Sequence, residues 1–402
     1  MSAGQERLNR EDLVGYFREA VVPPERNRIG VEYELFCLDR ASRERLSFEG
    51  IPGIEWLLSG LLDRSGGEAV EEGGRLVGID RPDWSVSIEP GGQIEASFSP
   101  CRTVTEFAGK LEEYLAGLKA AGGEKVIFIA SGVDPATPFE RAPWVPKRRY
   151  RIMRRYWEGR PGLSLHMMAQ TAAVQVSLDY NSESDAVAKL NTALNLSCLL
   201  GGMLANSPVY QGVYRHAGSF RQKIWCRTDR ERSGVPASCT RRIASFADYV
   251  DYALEVPMIF VRRDGRLEEP GERFTFRDFL ERGWQGEFPG LDDWRLHLNT
   301  IFSLVRFNNT ACEVRLFDSN RPELVTAIAG LVSGVFYSGR EFTPLAAPAE
   351  LLEVARENLE GREADFLRPL ELLVGANETP GDRALRAFRS AGLDGLLESL
   401  RI

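Results

Sequence analysis

The sequence predicts an α+β fold with a largely antiparallel sheet. Three observations carry that expectation. Strand-like and helix-like runs follow one another without strict βαβ alternation. Several strand-like runs alternate apolar and polar residues, as strands with one apolar face do. Neither a GxxxxGK[ST] loop nor a GxGxxG after a strand is present, so a P-loop or doubly wound nucleotide fold is not indicated.

In chain order, 9–20 reads as a short helix with Asn9 as its N-cap, stopped by Pro23-Pro24. RIGVEYELFCLD at 28–39 reads as a strand, 54–64 as a helix, and 84–100 as two strand-like runs around a Pro-Gly-Gly turn. Residues 103–121 carry helical apolar spacing. KVIFIASGVD at 125–134 and AVQVSLDY at 173–180 read as strands. A helix is expected from about 184 to 205, with Ser182 and Asp185 as a capping box. Residues 246–256 read as helix, 257–263 and 312–318 as strands, 321–338 as an apolar helix, and 340–402 as a mostly helical segment. No linker or repeat divides the chain, and the expectation is one catalytic domain over 1–402.

Composition limits the chemistry. The chain has 402 residues, net charge −8 and 43% hydrophobic residues, which is ample for a core and poor for a nucleic-acid or anionic-membrane binder. No apolar run is long enough to span a bilayer, and the polar N-terminus leads to the expectation of a cytoplasmic protein. Six scattered cysteines read as free thiols in a reducing compartment, and Cys37 and Cys312 as small apolar fillers. With only His166, His216 and His297, a histidine-rich zinc site or a Ser-His-Asp triad has little to draw on. His297 reads as a core histidine. Catalysis would rest on carboxylates, arginines and a hard, oxygen-loving cation.

The acids in the strands are the informative feature. Side chains two apart on a strand share a face. Glu32 and Glu34 then oppose Val31, Tyr33 and Leu35. Glu89 and Glu95 share a face if the Pro-Gly-Gly turn keeps register. Gln175, Ser177 and Asp179 oppose Val174, Val176 and Leu178, and Glu313 and Arg315 oppose Val314 and Leu316. One such strand is an ordinary solvated face. Four that carry glutamate repeatedly and no lysine suggest a site where cations sit between carboxylates and bridge them to phosphates. The run Lys147, Arg148, Arg149, Arg151, Arg154 and Arg155, with Tyr150, Tyr156 and Trp157, reads as a helix face near a nucleotide phosphate in preference to a nucleic-acid patch.

These residues lie in pieces that together resemble the plant-type glutamate–cysteine ligase family. They are RIGVEYELF (28–36), SIEPGGQIEAS (87–97), VPKRRYRIMRRYW (145–157), HMMAQTAAVQVSLDYNSESDAVAKL (166–190), LANSPVYQG (204–212), SFRQKIWCRTDRERSG (219–234), YVDYALEVPMIFVRRDG (249–265), HLNTIFSLVR (297–306) and CEVRLFDSN (312–320). The resemblance implies a glutamine-synthetase-like fold: a curved, largely antiparallel sheet with helices on its outer face and the active site in the concave face. It implies an ATP- and Mg²⁺-dependent ligase that converts L-glutamate to γ-glutamyl phosphate and transfers it to an amine, cysteine by default. A different amine acceptor, or a non-catalytic nucleotide or amino-acid sensor, stays open, and an oligomer is allowed. By resemblance, Glu32, Glu34, Glu89, Glu95, Gln175 and Glu313 fall on Mg²⁺ positions, and Arg315 on the position that contacts the transferred phosphoryl group. Arg221 falls on the position that grips glutamate, with Gln175 also toward substrate. Arg315, Glu313 and Glu32 are the catalytic candidates.

Overall fold

A long central strand organises the molecule. The computed structural model describes residues 7–234, 242–271, 273–308 and 310–402. In it, β1 (Ile29–Asp39) pairs over its first half with β5 (Ile94–Cys101) on one side and β7 (Ala173–Leu178) on the other. Its last four residues pair with β6 (Val126–Ile129). β2 (Glu68–Glu72), β3 (Arg75–Asp80), β4 (Trp84–Ile88), β14 (Val305–Phe307) and β15 (Cys312–Asp318) complete a nine-stranded sheet in the order β14-β15-β7-β1-β5-β4-β3-β2. Every pairing in it is antiparallel. Three two-stranded ribbons lie outside it: β8 (Val209–Tyr210) with β9 (Val213–Tyr214), β10 (Ser233–Gly234) with β13 (Phe302–Ser303), and β11 (Val261–Arg263) with β12 (Arg266–Glu268).

Side-chain alternation decides which face is covered. Val31, Tyr33 and Leu35 of β1 are essentially inaccessible, as are Val174 and Val176 of β7. Three helices pack on this side: α2 (Ile54–Ser65), α3 (Val104–Gly122) and α12 (Pro322–Phe336). α12 is buried on all sides, so its sequence is apolar almost throughout. The opposite face of β1 carries Glu32 and Glu34 and is roofed by α4 (Arg148–Trp157), α5 (Ser164–Gln170) and α8 (Phe220–Trp225).

The remaining helices are α1 (Arg10–Glu19), α6 (Glu183–Asn195), α7 (Ser197–Met203), α9 (Phe246–Glu255), α10 (Phe276–Arg282), α11 (Leu291–Leu298), α13 (Pro348–Asn358), α14 (Arg368–Gly375) and α15 (Pro380–Leu400). Asn9 caps α1 in a reciprocal box with Asp12. The chain end ties back to the sheet: Ala130 N–H donates to the Leu400 carbonyl at 3.0 Å. There Leu396, Leu397 and Leu400 form a small second core with Phe36, Leu38, Ile127 and Ile129.

The α+β fold with a largely antiparallel sheet is the fold observed. Three local readings are corrected. The expected helix over 184–205 is two helices, α6 and α7, which meet at Leu196. The capping box is half made: Ser182 accepts from Asp185 N–H, while the Asp185 carboxylate reaches Asn181 N–H. Only 261–263 of the expected strand 257–263 is strand, because Met258 to Phe260 are core residues in a loop. The sequence reading contains no β2–β3 hairpin: β2 is exposed and carries no apolar period, and β3 is a short run with only Val77 and Ile79 in alternation. Among the described residues no helix is long and apolar enough to cross a membrane. Five described cysteines are free: Cys37, Cys101 and Cys312 are buried, Cys198 and Cys226 exposed, and Cys239 lies outside the described residues. His297 is in the core, 2.8 Å from the Ala253 carbonyl.

Candidate active site

Strand register brings the acids together on one cavity floor. Ser87, Glu95 and Glu34 are successive cross-strand neighbours on β4, β5 and β1, and Glu32 lies opposite Gln175 of β7. Above this floor is a cavity of about 310 Å³. Glu32, Glu34, Glu89, Glu95 and Gln175 all line it, and so do Arg221 and Arg315. Glu89 lies in the turn after β4, where its N–H donates to the Gln93 carbonyl at 2.9 Å and its carbonyl accepts from Gly92 N–H at 2.8 Å. The Pro-Gly-Gly sequence suits this turn. A Cβ on Gly91 would stand 2.2 Å from the Ala169 carbonyl oxygen, and Gly92 has φ +75°.

The two ends of the cavity differ in charge. At the acid end, Glu34 accepts from Ala173 N–H at 3.0 Å and the Gln175 amide at 3.1 Å, and Glu95 accepts from the Ser87 hydroxyl at 2.9 Å. The Tyr150 hydroxyl donates to the Ile88 carbonyl at 2.8 Å and stands 3.3 Å from Glu89 Oε1. None of Glu32, Glu34, Glu89 and Glu95 has an ion-pair partner among the described residues. Burial, with repulsion from Glu313, raises Glu32 to about 7, and burial with repulsion from Glu89 raises Glu34 to about 8. Glu95 is pushed well above the usual carboxylate range by burial and then by Glu89.

At the other end, Glu313 is buried between Arg306 and Arg315. Arg306 is bidentate to it, with Nε at 2.7 Å and Nη2 at 3.1 Å. Arg315 Nη1 donates to it and also to Gln175 Oε1. Asn308 adds a bond at 2.8 Å. Burial alone would raise Glu313, but the two guanidinium groups take it down to about 2. Glu313 therefore stands one step behind the cavity wall with its oxygens already engaged, whereas the other expected metal positions face the cavity.

Arg221, on the first turn of α8, is buried and reaches the Arg315 carbonyl at 3.2 Å. Its Nε, like Trp225 Nε1 one turn on, is buried without a hydrogen-bond partner, and both residues line the cavity. The Arg221 segment is fixed by buried Asp318, which accepts from Asn206 N–H and the hydroxyls of Ser207 and Ser219 at 2.7 to 2.8 Å. Met153, Met167, Met168, Trp225 and Phe302 supply an apolar wall. Lys147 and Arg149 bring positive charge to the rim.

Several lining residues were not singled out from the sequence. Arg306 pairs with Glu313 in the β14–β15 register, which the sequence between the two strands does not reveal. Trp225 lies four residues after Arg221 on a six-residue helix too short to show a period. Within the basic run, α4 turns Tyr150, Ile152, Met153 and Trp157 inward and leaves Arg148, Arg151 and Arg154 exposed.

The donor set suits a hard divalent cation. Among the described residues no three His, Cys, Asp or Glu side chains form a group that would hold a metal by themselves. Mg²⁺ is commonly bound by one or two carboxylates together with substrate phosphates, not by an all-protein cage. Glu32, Glu34, Glu89 and Glu95 with the Gln175 amide are spread in that open manner, and the upward shifts of Glu32, Glu34 and Glu95 mark buried carboxylates that no ion pair among the described residues neutralises.

Comparison with known proteins agrees with this geometry. The sequence profile of Glutamate-cysteine ligase family 2 matches residues 28–364. The chloroplastic glutamate–cysteine ligase A of Oryza sativa subsp. indica is 32% identical over 427 residues, covering 96% of this chain and 86% of that protein. The chloroplastic glutamate–cysteine ligase of Solanum lycopersicum is 35% identical over 424 residues, covering 95% and 80%. A crystal structure of a glutamate–cysteine ligase from Francisella tularensis in complex with AMP shares the fold, with TM-score 0.58 at 10% identity over 93% of this chain and 87% of that one. The expectation of a cytoplasmic protein is overturned: these relatives are chloroplastic enzymes. Compartment is set by address signals that a catalytic core does not encode.

Proposed function

We propose, from the premise that this chain belongs to Glutamate-cysteine ligase family 2, that it joins the side-chain carboxylate of L-glutamate to the amine of cysteine. The reaction would consume ATP, require Mg²⁺ and pass through a γ-glutamyl phosphate, within one catalytic unit spanning 1–402. The observation that carries this reading is the division of a single cavity into an acid end whose carboxylates form no ion pair among the described residues and an arginine end built around Glu313.

A carboxylate is a poor electrophile because it lacks a good leaving group, and phosphorylation supplies one. Mg²⁺ held by Glu32, Glu34, Glu89, Glu95 and Gln175 would neutralise phosphate charge that this end of the cavity otherwise repels. Arg315 contributes a guanidinium fixed by Glu313 and Gln175, aimed at negative charge on the transferring phosphoryl group. Glu313 acts here by holding Arg306 and Arg315 in place. Arg221, which lines the cavity, takes a carboxylate of glutamate. The acceptor amine then attacks the acyl phosphate and inorganic phosphate leaves. No enzyme nucleophile is needed. The methionine and aromatic wall keeps water from the acyl phosphate and suits an uncharged, polarisable thiol side chain.

The test is phosphate release from Mg-ATP, with glutamate alone and with glutamate plus each of a panel of amines, and mass spectrometry of the products. Release that needs glutamate and cysteine together, with γ-glutamylcysteine formed, supports the reading. Release only with another amine keeps the mechanism and replaces the acceptor. ATP or glutamate binding without release under any pairing overturns it in favour of a sensor.

A further inference from the structure

We propose that Arg45 is a positioning residue for the cation end of the cavity: anchored by Asp134, it holds the Gly91 carbonyl and so sets the place of Glu89. The proposal rests on the cation-binding part of the proposed function.

Arg45 and Asp134 form an ion pair at 3.0 Å with side chains 1% and 0% exposed, and neither lines the cavity. A pair this deep is a poor source of stability, because desolvation offsets most of the attraction. Its geometry is directional. Arg45 Nη1 is held by Asp134, its Nη2 donates to the Gly91 carbonyl, and its guanidinium lies 4.5 Å from the Phe36 ring centre. Asp134 is immobilised in turn. Its second oxygen accepts from the N–H groups of Ala136 and Thr137, at 2.9 and 2.8 Å, and its own N–H donates to the Gln170 carbonyl at 3.0 Å.

The turn that Arg45 grips is the one that presents Glu89. From its other side the Gln93 amide donates to the Thr171 and Met168 carbonyls at 2.7 and 3.3 Å, and Gly91 packs against Ala169. The turn is thus clamped between α5 and Arg45. Two internal bonds make it stiff, so a displaced Gly91 carries Glu89 with it. Contacts behind a ligand commonly set metal affinity in this way.

Two variants test this on the full chain. R45M/D134N removes both charges together at nearly constant volume. R45K keeps a charge beside Asp134, but one ammonium lacks the fork that spans Asp134 and Gly91. Binding of Mn²⁺, as a spectroscopic stand-in for Mg²⁺, is read by electron paramagnetic resonance, alongside thermal unfolding and the Mg²⁺ dependence of phosphate release. In both variants the Mn²⁺ Kd and the half-saturating Mg²⁺ should rise about tenfold, less for R45K, while the glutamate KM moves less than twofold. An unchanged Mn²⁺ Kd in either folded variant overturns the proposal, even if kcat falls. R45K carries the test if the double variant does not fold. Failure of the wild-type chain to bind Mn²⁺ would strike the cation reading itself. Mn²⁺ binding without ligase turnover would strike only the proposed reaction.

Discussion

The two ends of the cavity set the same residue type to opposite effect. Glu313 is enclosed and carries full charge, because Arg306 and Arg315 lie against it. Glu32, Glu34 and Glu95 are pushed up by loss of solvent around them and by their mutual repulsion, and no lysine or arginine among the described residues forms an ion pair with them. Burial raises a carboxylate's pKa in both places, and only the position of the cations separates them. The arginine end is complete in the folded chain. The acid end is built to be completed by something that binds.

That contrast breaks most visibly at Glu313. Glu313→Gln leaves two buried guanidinium groups without their carboxylate, and we expect a stability loss of roughly 3–5 kcal/mol in denaturant titration as well as lost activity. Undiminished stability would mean that Arg306 and Arg315 find other partners. At the acid end, Glu32→Gln should cost activity about a hundredfold, several kcal/mol being the usual weight of a catalytic cation. Its melting temperature without Mg²⁺ should not fall, since the neutral amide imitates the protonated acid. A marked loss of stability there would erase the distinction between the ends.

pH sharpens the comparison with two opposite arms. Glu32 and Glu34 have folded values near 7 and 8, above the unfolded value, so the native chain holds extra protons between about pH 4.5 and 8. Without divalent cations, stability should therefore fall as pH rises across that window, which urea titrations at pH 5 and pH 8.5 would measure. Glu313, near 2 when folded, contributes stability that is full above about pH 4.5 and lost only as pH drops toward 2. Mg²⁺ competes with protons at the acid end, so the rise in melting temperature on adding MgCl₂ should be larger at pH 8.5 than at pH 6. A Mg²⁺ effect independent of pH would remove Glu32 and Glu34 as ligands. The smallest effect concerns Arg221, whose guanidinium spans both needs. Arg221→Lys should raise the KM for glutamate about tenfold, near 1.4 kcal/mol, and that for ATP much less. Equal shifts in both would place Arg221 with the nucleotide.

Much of this site was legible along the chain because strand parity is local. Two-residue spacing put Glu32 with Glu34 and Gln175 with Asp179 before any pairing was known, and the runs around them matched a family. Capping and turn chemistry marked α1 and the Pro-Gly-Gly turn in the same local way. Strand order is not local. Only the packed sheet seats β1 between β5 and β7, so that Glu34 meets Glu95 and Glu32 meets Gln175, from strands far apart in sequence. Tertiary structure alone also delivered Arg306 to Glu313, turned half of α4 inward, and drove Arg45 and Asp134 together behind the turn of Glu89. A sequence states which face a side chain takes on its own strand. Which charges then share a cavity, and which are left without a counter-ion, is set by contacts between distant segments.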